Sequence, residues 1–227
     1  MVTEQSKSDL AMQPFMHRFL QGRIDLVHQL RALSTLEVAQ QDLELILTAV
    51  MSACAACRWP GEGFDRKRFV ESLVRFGSPD LHLDYVSTGA LLEMGVISES
   101  QTPWGMPGQQ LRIFTGAEID GSITEMAKRY RHVSTRDLKK ASYANRIYEW
   151  LRCGYAHVYW AAGNTTHVAP SDLPAQISYI GRREPDGSRV RIASFHLDYL
   201  IDVAQDQVST LPKAKLPMAD SWWMDQT

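Results

Sequence analysis

Leu36-Glu37-Val38-Ala39-Gln40-Gln41-Asp42-Leu43-Glu44-Leu45-Ile46-Leu47-Thr48-Ala49-Val50-Met51-Ser52-Ala53-Cys54-Ala55-Ala56-Cys57 is the stretch on which the fold turns. Leu36, Leu43, Ile46, Leu47, Val50, Cys54 and Cys57 recur at helical intervals, a broad apolar stripe that only a helix places on one face. Ser34-Thr35-Leu36-Glu37 reads as a capping box ahead of it. Trp59-Pro60-Gly61 ends it, because a proline disfavours helical geometry in the residue before it. So wide a stripe needs cover on several sides, which predicts a helix at the centre of a helical core.

Working outward, Pro14 fits a first helical turn, with Phe15, Phe19, Leu26 and Leu30 following at helical spacing. A third helix is predicted from Phe64 to about Phe76 and a fourth from after Pro79 to about Met94. Residues 98–121, with Pro103, Gly105, Pro107 and Gly108, read as a long inserted loop holding a short strand at Leu111-Arg112-Ile113-Phe114. Ser122-Ile123-Thr124-Glu125 is a second capping box. The longest helical pattern runs from Thr135 to about Ala162, with Leu138, Ala141, Ala144, Ile147, Tyr148, Leu151, Tyr155 and Val158 on one face. Ile177–Ile180 and Arg189–Ile192 flank a turn at Asp186-Gly187, a hairpin signal over about 177–192, and a last helix spans about Phe195 to Val208. The tail, about 210–227, carries Pro212, Pro217 and Trp222-Trp223 and is expected to be loosely held with exposed aromatics. The class is mainly α, one domain over 1–227 with a late β-hairpin.

The 227 residues are 44% hydrophobic, enough for a sizeable core, so disorder as the main state is excluded. With 24 Lys+Arg against 26 Asp+Glu, the net charge of −2 supplies no global field for nucleic acid or an anionic membrane, so any such contact must be local. No apolar run reaches bilayer length and Met1–Leu10 lacks the apolar core of a secretory signal, which predicts a cytoplasmic protein without a membrane partner. Three cysteines are too few for a disulfide scaffold.

The chain has no P-loop, no dinucleotide-binding glycine pattern, no G-x-S-x-G and no H-E-x-x-H. Cys54 and Cys57 have C-x-x-C spacing, but both fall on the apolar stripe and no further ligands follow at matching distances, so core packing is the reading. Most histidines stand alone beside hydrophobic residues; His82, His132 and His167 have no assigned role. Tyr148-Glu149-Trp150-Leu151-Arg152-Cys153-Gly154-Tyr155-Ala156-His157-Val158-Tyr159 stands apart. Arginine is always charged and holds a phosphate through paired hydrogen bonds, while histidine moves protons near neutrality. Together they can cleave RNA without a metal or cofactor: the base takes the proton of the ribose 2′-OH, which attacks the adjacent phosphate, and arginine stabilises the developing charge. Residues five apart on a helix differ by about 140° of rotation, so one chain does not readily aim both at one point and a second chain would help.

This stretch resembles the signature of the HEPN superfamily, helical-bundle proteins whose ribonucleases carry an Arg, four to six residues, then His. The form R-x-x-x-x-H-x-Y, here Arg152, His157 and Tyr159, looks like the toxin branch of HEPN/MNT toxin–antitoxin pairs. The bare Arg-x4-His spacing also occurs at Arg23/His28 and Arg191/His196 and is expected by chance about half a time in this composition; adding the tyrosine lowers that to roughly 0.02, and Arg152/His157 alone passes. The resemblance implies a metal-independent endoribonuclease, toxin or defence effector, with a composite site at a homodimer cleft. Arg152 and His157 would be catalytic, and Tyr159 would contact RNA or accept adenylyl groups from a partner nucleotidyltransferase antitoxin. Cys153 stands where ribonuclease members commonly carry Asn or Asp, and Val158 where many carry Glu. A different class is kept beside it: a catalytically inactive HEPN-like module binding a nucleotide, RNA or protein through the same cleft. A third reading is a helical scaffold whose Trp222-Trp223 tail docks on a partner.

Overall fold

A computed structural model of the chain describes residues 4–33, 37–106, 108–109, 112–158, 161, 165, 175–183, 185–187, 189–211 and 221–226. The capping box at Ser34–Glu37 lies largely outside them, and helix α2 is described from Glu37 to Arg58. Of the predicted stripe, Leu43, Leu47, Val50 and Cys54 are buried and Ile46 and Cys57 half-buried, while Met51, outside that stripe, is buried beside them. The helix packs most extensively against α1 (Glu4–Leu33), α3 (Asp65–Phe76), α10 (Leu197–Ser209) and the segment 147–153 described below. Cys54 is a free buried thiol, and burial pushes it up to about 12, which fits a packing role.

Two expectations for α1 are corrected. The helix begins at Glu4, so Pro14 lies in its interior rather than its first turn. The residues before Pro14 are mostly good helix formers and contain no glycine, so nothing in them stops the helix. The buried stripe is Leu20, Ile24 and Val27, while Phe15 and Phe19 are 58% and 45% exposed. Both sets satisfy helical spacing; the aliphatic one faces α2, and the two phenyl rings stack on each other at 6.2 Å, with Arg23 over Phe19.

The helix expected over 79–94 is also corrected. Pro79–Leu81 form a single 3-10 turn that ends at His82, whose φ is 50°, and α4 covers only Thr88–Glu93, capped by Ser87 Oγ accepting from Ala90 N. Between them the backbone is committed elsewhere. Leu83 and Tyr85 carbonyls accept from Ala144 and Tyr143, and Val86 and Ser87 amides donate to Gly121 and Ala141. Those bonds replace the helical ladder.

They also break the helix expected from Thr135 to Ala162. Instead α7 spans Thr135–Lys140, Ser142 starts anew by capping α8 (Tyr143–Arg146), Ile147–Cys153 is π-helical, and α9 is Gly154–Val158. The 98–121 insertion contains two 3-10 turns, strand β1 (Phe114–Thr115), displaced from the expected 111–114, and α5 (Gly116–Ile119). A further short helix, α6 (Ile123–Arg129), starts at the second capping box with Ser122 as its cap.

The late hairpin forms as β2 (Ile177–Arg183) and β3 (Arg189–Phe195), antiparallel, with Ile177 opposite Phe195 and Arg183 opposite Arg189. Gly187 turns it at φ 85°, a conformation that favours glycine. β1 adds to β2 through Phe114–Tyr179, so the sheet has three strands in the order β1-β2-β3. The molecule is therefore mainly helical with a small antiparallel sheet late in the chain, and one buried cluster runs through both parts. No helix among the described residues is long and apolar enough to cross a membrane.

Candidate active site on the 147–158 helix

The π-helical stretch overlaps the first half of the predicted motif. Ile147, Trp150 and Leu151 are buried and anchor it in the core. Its start is fixed by charge: Arg146, 5% exposed, donates twice to the Lys140 carbonyl and pairs with Glu149, which also pairs with Arg66 from α3. A π turn bonds residue i to i+5, a register rare in proteins and frequent at functional sites. Tyr148 and Cys153 stand one such turn apart. Burial first, and then the neighbouring Cys153 thiol, hold the Tyr148 hydroxyl above its ordinary value.

Arg152 is half-buried, with its guanidinium 5.5 Å from the Tyr148 ring centre. It lines a cleft of about 20 Å³ together with Ser52, Asp65, Arg68 and Phe69. That volume holds about one water. Asp65 is ion-paired with Arg68, so these three charged groups amount to two cations and one anion, a local excess of positive charge inside a chain of net charge −2. His157 is exposed near the end of α9 and does not line this cleft. Arg152 and His157 thus share a helical segment, but only Arg152 lines this cleft. Cys153 is half-buried and free. Tyr159 lies outside the described residues, as does the side chain of Val158.

The other Arg-x4-His pairs are accounted for structurally. His196 is 7% exposed and its Nε2 lies 2.7 Å from Ser178 Oγ, and burial lowers its pKa. Arg23 stacks on Phe19 on the outer side of α1, where His28 is exposed. Of the unassigned histidines, His82 stacks on Tyr85 at 4.2 Å and His132 Nε2 lies 3.0 Å from the Val96 carbonyl; His167 lies outside the described residues.

Two groups that matter to this helix escaped the sequence reading. Tyr155, counted there only as part of the apolar face, donates its hydroxyl to Glu44 Oε2 at 2.5 Å. Glu44 is 1% exposed, and desolvation raises its carboxyl to about 7 against the opposing hydrogen bonds of Tyr155 and Gln40. This bond joins α9 to α2 and so sets the rotation of the helix that carries Arg152 and His157. The signal was present: Glu44 sits among Leu43, Ile46 and Leu47, where a carboxylate has no solvent. The second is a larger cleft, about 200 Å³, on the other side of the π segment, where Trp150, Glu93, Tyr179 and Arg191 meet. Burial raises the Glu93 carboxyl there, opposed by nearby Arg146. Among the described residues no three His, Cys, Asp or Glu side chains gather in a way that could hold a metal ion. No protein-family model matches the chain, and neither the curated proteins nor the solved structures contain a significant match to it.

Proposed function

We propose that this chain is a metal-independent endoribonuclease of the HEPN type, acting in the cytoplasm as a toxin or defence effector. The observation that supports this best is the π-to-α junction at Cys153–Gly154, which leaves Arg152 on a cationic cleft and His157 in solvent on one short segment. In a symmetric homodimer built on this segment, Arg152 of one copy holds the scissile phosphate and His157 of the other takes the proton of the ribose 2′-OH. The 2′ oxygen bonds to phosphorus, the 5′ oxygen leaves with a proton, and a 2′,3′-cyclic phosphate remains. Single-stranded loops are the substrate, because their backbone can rotate for in-line attack. A separate nucleotidyltransferase would silence the enzyme by adenylylating Tyr159, placing charge and bulk where the substrate phosphate sits.

The test is cleavage of a structured RNA in EDTA with identification of the cyclic-phosphate end. Arg152→Ala and His157→Ala should each lower the rate by about 100-fold or more while keeping the parent circular dichroism spectrum. Equal rates for parent and both variants would overturn the assignment. One observation favours a second reading, an inactive module that binds RNA, a nucleotide or a protein. Arg152 is held against Tyr148 in a cleft with room for about one water, and Cys153 stands where HEPN ribonucleases commonly carry Asn or Asp and Val158 where many carry Glu. In that case the parent shows no cleavage, and Arg152→Ala weakens ligand binding.

A further inference from the structure

The C-terminal segment does not hang free. Residues 221–226 lie back on α3 and α7, with a 3-10 turn at Trp223–Asp225. Trp222 packs between Trp59 and Phe64, with ring centres 5.6 and 5.5 Å away. The Trp223 amide donates to Glu71 Oε2 at 2.5 Å. Lys139 Nζ donates to the carbonyls of Trp223 and Gln226, at 2.7 and 2.6 Å, and stands 5.0 Å from the Trp223 ring centre. Lys67 pairs with Asp225 at 2.7 Å.

This is the pattern of a bound peptide rather than of a tail at rest. Glu71, which also pairs with Arg75, and Lys139 are 1% and 6% exposed beneath the segment, one acceptor and one donor from two helices that both meet its backbone. An aromatic slot takes one indole and Lys67 takes the acidic residue that follows, so each recognition element lies on a different side of the segment. We propose that the groove between α3 and α7 is a peptide-binding site, filled here by the chain's own Trp222–Asp225 and open to the same segment of a second copy, so that two copies join by exchanging straps.

The exchange keeps every contact, because the groove and the segment are the same in each copy. Nine residues separate Leu211 from Ser221, a length that reaches at most about 35 Å. Within one chain the tether holds the segment at high effective concentration, so the closed monomer dominates in dilute solution and exchange grows with protein concentration. None of this depends on the ribonuclease reading.

Complementary full-length variants test it. Trp222→Ala/Trp223→Ala leaves an intact groove without its occupant; Glu71→Gln/Lys139→Met leaves an intact segment without its groove. Mixed at tens of micromolar with different tags, the two should form a 1:1 pair in size-exclusion chromatography with light scattering. Two tagged copies of Trp222→Ala/Trp223→Ala should pair at least tenfold more weakly. A second measurement uses a fluorescent synthetic peptide of the sequence Ala219–Thr227. It should bind the Trp222→Ala/Trp223→Ala chain at least tenfold more tightly than the parent, whose groove is occupied. Absence of peptide binding to both chains overturns the proposal. So does pairing that is as strong between two groove-intact, segment-less copies as between the complementary pair, since contact then runs through another surface.

Discussion

Glu44 shows how one residue can tie the stability of this molecule to pH. Its carboxyl has an ordinary value near 4.5 and titrates at about 7 in the folded chain, so between those pH values the folded state holds a proton that the unfolded state has lost. Stability is then fully present below about pH 4.5 and declines as pH rises toward 7, by up to about 3 kcal/mol if the whole shift is expressed. Glu44→Gln keeps an acceptor for the Tyr155 hydroxyl and removes the charge. It should flatten the fall in unfolding temperature across that window and stabilise the protein at pH 7.5; an unchanged slope in calorimetric scans from pH 4.5 to 7.5 would rule out this account. Arg58 is the opposite kind of buried charge. It is 8% exposed and donates to Ser72, Thr210 and both the side chain and the backbone of Gln207, clamping the end of α2 to the end of α10. Arg58→Ala strands those acceptors and should lower the urea-unfolding free energy by about 3 kcal/mol. The partners of neither were legible in the chain. Glu44 breaks an apolar stripe without saying what it meets, and Arg58 reads as an ordinary basic residue in a last helical turn, because their partners lie 111 and 149 residues away.

At the scale of elements, periodicity found the helices wherever the backbone's hydrogen bonds stay local. α2, α3, α10 and the β2–β3 hairpin were legible for that reason: caps, turns and apolar spacing all fall within a few residues. The helix over 135–162 was misjudged because the apolar period runs straight across a cap. Leu138, Ala141, Ala144 and Ile147 keep helical spacing through Ser142, yet the Tyr143 and Ala144 amides donate to Tyr85 and Leu83 rather than to the preceding turn. Nothing within 135–150 announces those partners. The two pictures make opposite predictions for one substitution. In a continuous helix, Ser142→Ala would be mildly stabilising through higher helix propensity. In the observed structure Ser142 is fully buried and caps α8, so Ser142→Ala should destabilise by about 1 kcal/mol in thermal unfolding, without a gain in helical ellipticity. A π segment is still less legible, since its one-residue widening leaves no compositional mark. It nevertheless decides how Arg152 and Cys153 are turned relative to Trp150.

For the molecule as a whole, the candidate site was legible as a pattern of residues and illegible as a place. Arg152 and His157 could be singled out from two competing pairs, and the structure removes His196 from contention by burying it against Ser178. Spacing already implied that the two side chains part within one chain; what it could not supply was their surroundings, one against Tyr148 in a small cleft and the other in solvent. That separation gives the ribonuclease proposal its sharpest consequence. If a working site takes Arg152 from one subunit and His157 from its mate, then Arg152→Ala and His157→Ala chains, each inactive alone, complement when mixed. Random reassociation makes half of all dimers mixed, and each mixed dimer holds one complete site of two, so activity should recover to roughly a quarter of the parent's. Recovery should rise with the time allowed for subunits to exchange and vanish on dilution below the dimer dissociation constant. If both residues serve a site within one chain, mixing restores nothing at any concentration, although each variant remains folded and dimeric. An RNA cleavage assay run on the two variants separately, then mixed at increasing protein concentration, decides between a composite site and an internal one.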